Sequence, residues 1–275
     1  MNKRAAPGTI SSAFRVFDLS LGEMLWSRRT IFMGLVVGVP VVLAAIIRLF
    51  TALGAPSWRI NRIAIDGPTM FGLMIWMFFR LIVPVLGVFY GTALIADEVE
   101  DKTITYLFTR PIPRGAVVLG KYLAYLACSV FVVLPSVVLV WLLVVPINGS
   151  LASTFVDMAK DLMLLTVGLA IYGAVFAFVG TAIKRPLLVG LIFVIGWEPT
   201  ALLLPGYLKH FTVAYYLQGL VPQAMPNDSA VSLVQSIVRE IPSLPESVIW
   251  MGVMEIGFLW LAARLVTRKE YVLEQ

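Results

Sequence analysis

Residues 162–183 read LMLLTVGLAIYGAVFAFVGTAI, and none of these 22 residues carries a charge. A helix rises about 1.5 Å per residue, so this stretch would extend roughly 33 Å. The hydrocarbon core of a bilayer is about 30 Å thick, which makes the stretch a candidate membrane span. The basic pair Lys184 and Arg185 follows directly, and Pro186 suits the first turn of a further helix. The stretch therefore predicts a span that ends at a tight corner.

The composition of the whole chain points the same way. Apolar residues make up 60% of the 275 residues and charged residues 13%, whereas soluble domains average about 45–50% and about 25%. A soluble fold of this length could not hide so much apolar surface, so lipid must cover part of it. The length accommodates about six spans of about 20 residues with their loops.

Stretches with few charges predict an all-α polytopic membrane protein with one transmembrane domain, residues 1–275. The six spans are predicted near residues 30–47, 81–96, 116–146, 162–183, 187–204 and 248–265. Apolar residues at helical spacing within residues 1–29 predict an amphipathic helix on the cytoplasmic membrane surface, or one packed on protein. Residues 206–247 are polar and aromatic, and we expect them to form a loop on the outer side.

The basic residues orient these spans. With both termini in the cytoplasm, the predicted inner segments hold 14 Lys and Arg residues and the outer ones hold 6. This bias towards the cytoplasmic side supports the orientation. We expect Arg80 to snorkel to the outer interface, and residues 70–79 to continue the helix outward or lie in the interface. The net charge of +5 is therefore assigned to topology and anionic lipid rather than to nucleic acid.

The scarcity of reactive residues excludes several classes of protein. Cys128 is the only cysteine and His210 the only histidine, which rules out an intrachain disulfide and a cysteine metal cluster. No Ser–His, HExxH or paired aspartate arrangement occurs in the predicted spans, which argues against an intramembrane enzyme. We expect His210, next to Lys209, in a loop or at an interface.

Residues 96–121 link the second and third predicted spans and read ADEVEDKTITYLFTRPIPRGAVVLGK. Four acidic residues open the segment, where they complement the positive end of a helix dipole. Two prolines and two arginines, within residues 110–114, end the predicted helix. The pattern predicts a short cytoplasmic helix between two long spans, which could dock in a groove of another protein and transmit a push to both spans. A solvated loop with matched charges is the alternative.

This segment resembles the signature of type 2 ABC exporter permeases, which reads E…G-T…L-L…P-x-x-R…K. The matching positions are Glu98, Thr103, Leu107, Arg110, Pro111 and Arg114, followed by Lys121. Lys102 stands where a glycine is usual. The predicted layout is also similar to that family, with a surface helix, six spans and a larger outer loop before the last span.

The resemblance implies a function and a set of partners. In that family the first cytoplasmic loop, here residues 97–115, includes a coupling helix that receives motion from a cytoplasmic nucleotide-binding subunit. The resemblance implies the transmembrane subunit of an exporter in the cytoplasmic membrane. Such a subunit would work as a homodimer or heterodimer with two separate ABC ATPase subunits, and ATP and Mg²⁺ would bind to those subunits.

The chain does not supply a convincing nucleotide site of its own. Residues 115–122, GAVVLGKY, nearly match the phosphate-binding pattern G-x-x-x-x-G-K-[ST]. Tyr122 replaces the hydroxyl residue that would hold magnesium, no strand is predicted before the stretch, and it leads into a span. We therefore expect a transport subunit rather than an enzyme, with no cofactor or metal on this chain.

Two carboxylates are predicted inside the membrane, Glu198 in the fifth span and Glu255 in the sixth. A charge at mid-membrane costs about 2.5–3.5 kcal/mol on insertion scales, so such residues usually face protein or water. They could line a substrate path or a proton relay, or form interhelical hydrogen bonds. A proton relay would suit a proton-coupled secondary transporter, which is one alternative to the permease. A non-transporting membrane scaffold is another.

Two G-x-x-x-G patterns would let helices approach closely. The first comprises Gly34 and Gly38, and the second comprises Gly87 and Gly91. Either could serve a dimer interface or packing within one subunit, and we expect packing within the subunit.

Overall fold

The described part of the chain is almost entirely helical. The computed structural model describes residues 9–54, 59–60, 63–64, 66–100, 113–203, 207–220 and 242–268. In chain order, the α-helices of these residues are α1 (Thr9–Leu25), α2 (Arg28–Ala52), α3 (Gly67–Met77), α4 (Val83–Leu86), α5 (Ala93–Glu100), α6 (Arg114–Val144), α7 (Leu151–Ala182), α8 (Pro186–Leu191), α9 (Glu198–Leu203), α10 (Val213–Leu220) and α11 (Leu244–Arg268). The π-helical turns are Phe78–Ile82, Gly87–Gly91 and Ile192–Trp197, and a 3₁₀ turn covers Tyr207–Phe211. Two short strands, β1 (Arg59–Ile60) and β2 (Ile63–Ala64), form an antiparallel pair.

Five helices are long and apolar enough to cross a membrane. Among the described residues they are Arg29–Ala52, Gly67–Glu98, Arg114–Val144, Leu151–Ala182 and Leu244–Arg268. Each coincides with one of the predicted spans, which confirms the all-α polytopic membrane fold. The predicted fifth span falls on a shorter apolar helix, Pro186–Leu202. The count of six spans therefore stays a prediction.

Polar caps mark where two of these helices begin. The Ser27 hydroxyl accepts a hydrogen bond from the Thr30 N–H at the start of α2, at 3.3 Å. The Asp66 carboxylate accepts one from the Thr69 N–H at the start of α3, at 3.1 Å. Each cap pairs an N–H group that a helix start leaves without an intrahelical partner. Pro68 lies in the first turn of α3, where a proline removes no intrahelical hydrogen bond.

The helix of the second span is longer than the predicted span. It runs without a break from Gly67 to Glu98, so the apolar residues before Arg80 continue the helix. Pro84 contributes to one irregular turn, because it has no N–H to bond the Arg80 carbonyl four residues earlier. A wider π turn, Phe78–Ile82, lies at this point and contains Arg80.

Helix α7 lies at the centre of the core. All of residues 168–177 are buried. A Cβ atom at Gly87 would lie 2.6 Å from that of Tyr172, and one at Gly91 would lie 2.8 Å from that of Phe176. The second G-x-x-x-G pattern therefore lets the second span pack closely on α7 within one subunit, as predicted.

The first G-x-x-x-G pattern lies in a different environment. A Cβ atom at Gly34 or Gly38 would meet no atom of the described residues within 4 Å. For this pattern, the prediction of packing within the subunit is wrong in the part of the chain that the structure describes. Helix α2 packs through a neighbouring stripe instead, where Met33 and Val37 are buried.

Helix α1 packs on α6. Its buried residues include Ser12, Ala13, Val16 and Ser20. A Cβ atom at Gly120 of α6 would lie 2.6 Å from the Ala13 carbonyl oxygen, so the close approach needs a glycine. Phe14 and Leu19 of α1 are 62% and 63% exposed. Helix α1 thus packs on protein through one set of residues and exposes apolar side chains elsewhere, and its position on the membrane surface stays a prediction.

Candidate functional site

Four charged residues, Asp97, Glu98, Arg114 and Lys121, lie at the ends of the segment 101–112 and together form the loop root. Asp97 and Glu98 lie in α5, at the end of the second span. Arg114 begins α6, and Lys121 lies two turns further along that helix. The segment 101–112 itself lies outside the described residues.

The least exposed ion pair among the described residues joins Lys121 to Glu98. The ammonium group of Lys121 donates to Oε1 of Glu98, and the two side chains are 11% and 22% exposed. The pair ties the end of the second span to the first part of the third. Because little water reaches it, removing either partner would leave the other charge poorly solvated.

A second ion pair joins Arg29, in the first turn of α2, to Asp97. These side chains are 44% and 36% exposed, and an exposed pair of this kind contributes about 0–1 kcal/mol. The main effect of this pair is to fix the position of the first span relative to the second, because the adjacent residues Asp97 and Glu98 contact different spans. Asp97 contacts the first span, and Glu98 contacts the third.

Arg114 connects the other end of the loop to the last span. Its Nη1 donates to the Thr267 carbonyl oxygen at 3.4 Å, in the last turn of α11, where the carbonyl groups lack intrahelical donors. The negative end of the helix dipole also favours a cation there. The next residue, Gly115, lies against the same helix, because a Cβ atom on it would be 3.7 Å from that of Ala263.

The loop root is therefore in direct contact with four spans, the first, second, third and last. The N-terminal helix α1 packs on Gly120, the residue before Lys121. The loop root thus links all four spans through two ion pairs and one hydrogen bond from the Arg114 side chain to the Thr267 carbonyl oxygen.

The structure describes two of the six residues that were predicted to couple this chain to a partner. Glu98 and Arg114 both belong to the loop root. The other four lie outside the described residues, namely Thr103, Leu107, Arg110 and Pro111. Sequence reasoning did not identify the pairing of Arg29 with Asp97. The sequence did contain a signal for this pair, because a basic residue begins the first span and an acidic residue ends the second.

Glu198 is buried among partners from three other segments. It is 1% exposed, and the Tyr172 hydroxyl lies 2.8 Å and 2.7 Å from its two carboxylate oxygens. The backbone of Val213 and Ala214, which begin α10, lies near this carboxylate. Arg80 lies close enough to attract it electrostatically, although the two are not among the ion pairs of the described residues.

Glu255 has a different set of neighbours. The Tyr122 hydroxyl lies 3.0 Å from Oε1 of Glu255 and 3.0 Å from the Ala170 carbonyl oxygen. This contact joins the third, fourth and last spans. Both intramembrane carboxylates thus form interhelical hydrogen bonds, which was one of the two expectations, and the structure pairs each with a different tyrosine.

The fold and the loop root together define a polytopic membrane protein in which one charged loop is tied to several spans. In a comparison with protein families, residues 9–240 match the ABC-2 family transporter protein. The match covers most of the chain, which therefore belongs to this family and is a multi-pass membrane permease of an ABC transporter. No curated protein matches the chain. The family favours the permease prediction over the secondary-transporter and scaffold alternatives.

Proposed function

We propose that this chain is the permease subunit of an exporter in the cytoplasmic membrane, driven by ATP hydrolysis on two separate ABC ATPase subunits. ATP and Mg²⁺ bind to those subunits in this proposal. Membership in the ABC-2 family supports it, because such transporters work with ATPase subunits. The observation that supports the coupling part is the loop root, where the two ends of the segment between the second and third spans are tied to four spans.

In the proposed cycle, the ATPase subunits close around ATP and push on residues 97–115. The shielded pair of Glu98 and Lys121 moves the second and third spans together. Asp97 carries the displacement to the first span through Arg29, and Arg114 carries it to the last span. The spans then reorient and open the path to the other side of the membrane.

The proposed assembly contains two permease copies, which are either identical or related chains. Both termini lie in the cytoplasm in this orientation, which the distribution of Lys and Arg residues supports. Helix α1 then lies at the cytoplasmic surface. Its exposed Phe14 and Leu19 suit the boundary between headgroups and acyl chains.

The contacts of Glu198 and Glu255 separate them as candidates for the substrate path. Glu255 is half-buried and bonds the Tyr122 hydroxyl, a contact that a polar substrate group could replace. Glu198 is 1% exposed and accepts a hydrogen bond from the Tyr172 hydroxyl. We therefore place Glu255, rather than Glu198, beside the substrate path.

A pull-down of the tagged chain from its native cells in mild detergent tests the proposed function. We expect one soluble ATPase chain to co-purify with each permease chain, and ATP hydrolysis to accompany it. Arg110→Glu, inside the coupling segment, should release the ATPase. Arg239→Glu makes the same change in the predicted outer loop and should retain it. A folded chain that co-purifies with no ATPase would overturn the proposal.

A further inference from the structure

Helix α11 has an exposed face that runs along the last span. Side chains three or four residues apart lie on the same side of a helix, and a series with this spacing forms what we call the exposed stripe of α11. Its members are Ile249, Val253, Ile256, Trp260, Arg264 and Arg268, all of which are exposed. Met251, Ala262 and Val266 are buried on the opposite side, so α11 packs on the described bundle through that side.

The first part of the exposed stripe is apolar. From Ile249 to Trp260 it covers roughly 17 Å along the helix axis. The hydrocarbon core of a bilayer is about 30 Å thick, so one leaflet contributes about half of that thickness. The apolar part of the stripe therefore matches the reach of one acyl chain from a single leaflet.

Two arginines continue the stripe at its end. The guanidinium of Arg264 lies over the Trp260 ring, with Cζ 4.8 Å from the ring centroid, which is within the range of a cation–π contact. Arg268 follows one turn later, and neither arginine takes part in the three ion pairs of the described residues. Residues 256–269 contain no aspartate or glutamate. The end of the stripe thus carries two positive charges beside an aromatic ring.

We propose that the exposed stripe of α11 is a binding site for an anionic phospholipid. The lipid phosphate binds Arg264 and Arg268, since guanidinium groups bind phosphate through paired hydrogen bonds. The Trp260 ring lies at the level of the headgroup, where tryptophan is enriched in membrane proteins. One acyl chain lies along the apolar part. In the proposed orientation the lipid belongs to the cytoplasmic leaflet, whose anionic lipids attract basic residues.

The site adjoins the loop root. The Arg114 side chain donates to the Thr267 carbonyl oxygen at 3.4 Å, one residue before Arg268. A third guanidinium therefore lies at the same end of α11 and adds to the positive potential there.

A phospholipid suits this face better than a second copy of the chain does. A lipid brings an anionic group and an apolar tail together, which matches both parts of the stripe. In a symmetric pair of chains, the same surface of each copy meets the other. Contact through the stripe would therefore bring Arg264 and Arg268 of the two copies together, where like charges repel.

Native mass spectrometry of the full chain in detergent tests the proposal by counting bound lipids. In a titration with dioleoyl phosphatidylglycerol, one lipid per chain should bind about tenfold more tightly than dioleoyl phosphatidylcholine, which has no net charge. Each basic residue near an anionic lipid contributes a factor of about five. Arg264→Gln and Arg268→Gln should each weaken binding of the anionic lipid by about this factor, and the double variant by about 25-fold.

Two further variants show whether the site is specific. Arg185→Gln is the matched control, because Arg185 is an exposed arginine after the end of α7 and lies outside the stripe. It should bind the anionic lipid as the parent chain does. Trp260→Leu keeps an apolar side chain but removes the ring beneath Arg264, so binding should weaken by about threefold. Thermal unfolding confirms that each variant is folded.

Three results would overturn the proposal. One is unchanged binding of phosphatidylglycerol by the double arginine variant. Another is an equal loss in Arg185→Gln, which would show a general attraction to basic residues rather than a site. The third is efficient disulfide formation between copies of a Val253→Cys chain in oxidised native membranes, which would show that a second copy covers the stripe. The native Cys128 is fully buried and should not contribute. None of these measurements requires an ATPase, so their outcome is independent of the proposed ATP-driven function.

Discussion

Lys121 and Glu98 form an ion pair where the second and third spans meet the 97–115 loop, with side chains only 11% and 22% exposed. These two residues are the first and last charged positions of the sequence pattern that resembles type 2 ABC exporter permeases. A loop can pass a push to its spans only if its ends are fixed relative to them. The pair fixes both ends to each other, and Arg29 and Arg114 fix them to the first and last spans.

Exchanging the two charges tests this pair. Glu98→Lys alone places two cations together, and Lys121→Glu alone places two carboxylates together. Each should lower the free energy of unfolding by about 1–3 kcal/mol, somewhat less than for a fully buried pair. The double variant should recover most of the loss, because opposite charges face each other again. Thermal unfolding in detergent measures the effect, and a double variant as unstable as the singles would contradict the pairing.

The pair of Arg29 and Asp97 should behave differently because it is more exposed. Arg29→Gln should change the free energy of unfolding by less than about 1 kcal/mol. The effect should shrink further between about 0.1 M and about 1 M salt, where screening becomes strong. Lys121→Met is the comparison, and its larger effect should persist at high salt. Equal salt dependence of both variants would argue against the difference in burial.

Two glycine-to-alanine substitutions, one at a closely packed position and one at an open position, test the packing of α1 on α6. Gly120→Ala forces a Cβ atom against the Ala13 carbonyl oxygen, which lies 2.6 Å from its ideal position, so α1 must shift and the unfolding temperature should fall. Gly38→Ala adds the same atom where no described atom lies within 4 Å. Since alanine favours helix more than glycine by about 1 kcal/mol, this control should be neutral or stabilising. A fall of similar size in both variants would contradict the close packing at Gly120.

Glu255→Gln separates a substrate contact from a structural hydrogen bond. The amide keeps an oxygen that can accept the Tyr122 proton, so the unfolding temperature should hardly change. If Glu255 borders the substrate path, transport in reconstituted vesicles should fall several-fold. Glu246→Gln, in the first turn of α11, is the matched control and should transport normally. Unchanged transport by Glu255→Gln would remove Glu255 from the path.

Much of the fold could be predicted because membrane crossing depends on local hydrophobicity. Residues 162–183 predict a span whatever surrounds them, and the structure places a continuous helix there, Leu151–Ala182. The fifth span is less clear, because a π turn lies within Pro186–Leu202 and the apolar helix is short. The candidate site was harder to predict. Glu98, Arg114 and Lys121 emerged from the family resemblance, but the contacts that they make did not.

By itself, the sequence determined that the chain is helical, crosses the membrane several times and carries one charged loop between two spans. Only the tertiary structure decided which charges meet, such as Arg29 with Asp97. It also decided that Gly87 packs closely within the subunit, while Gly34 meets no atom of the described residues within 4 Å. The reason is physical. The length and polarity of a span are properties of consecutive residues, whereas a contact between distant residues depends on how whole helices turn and pack against one another.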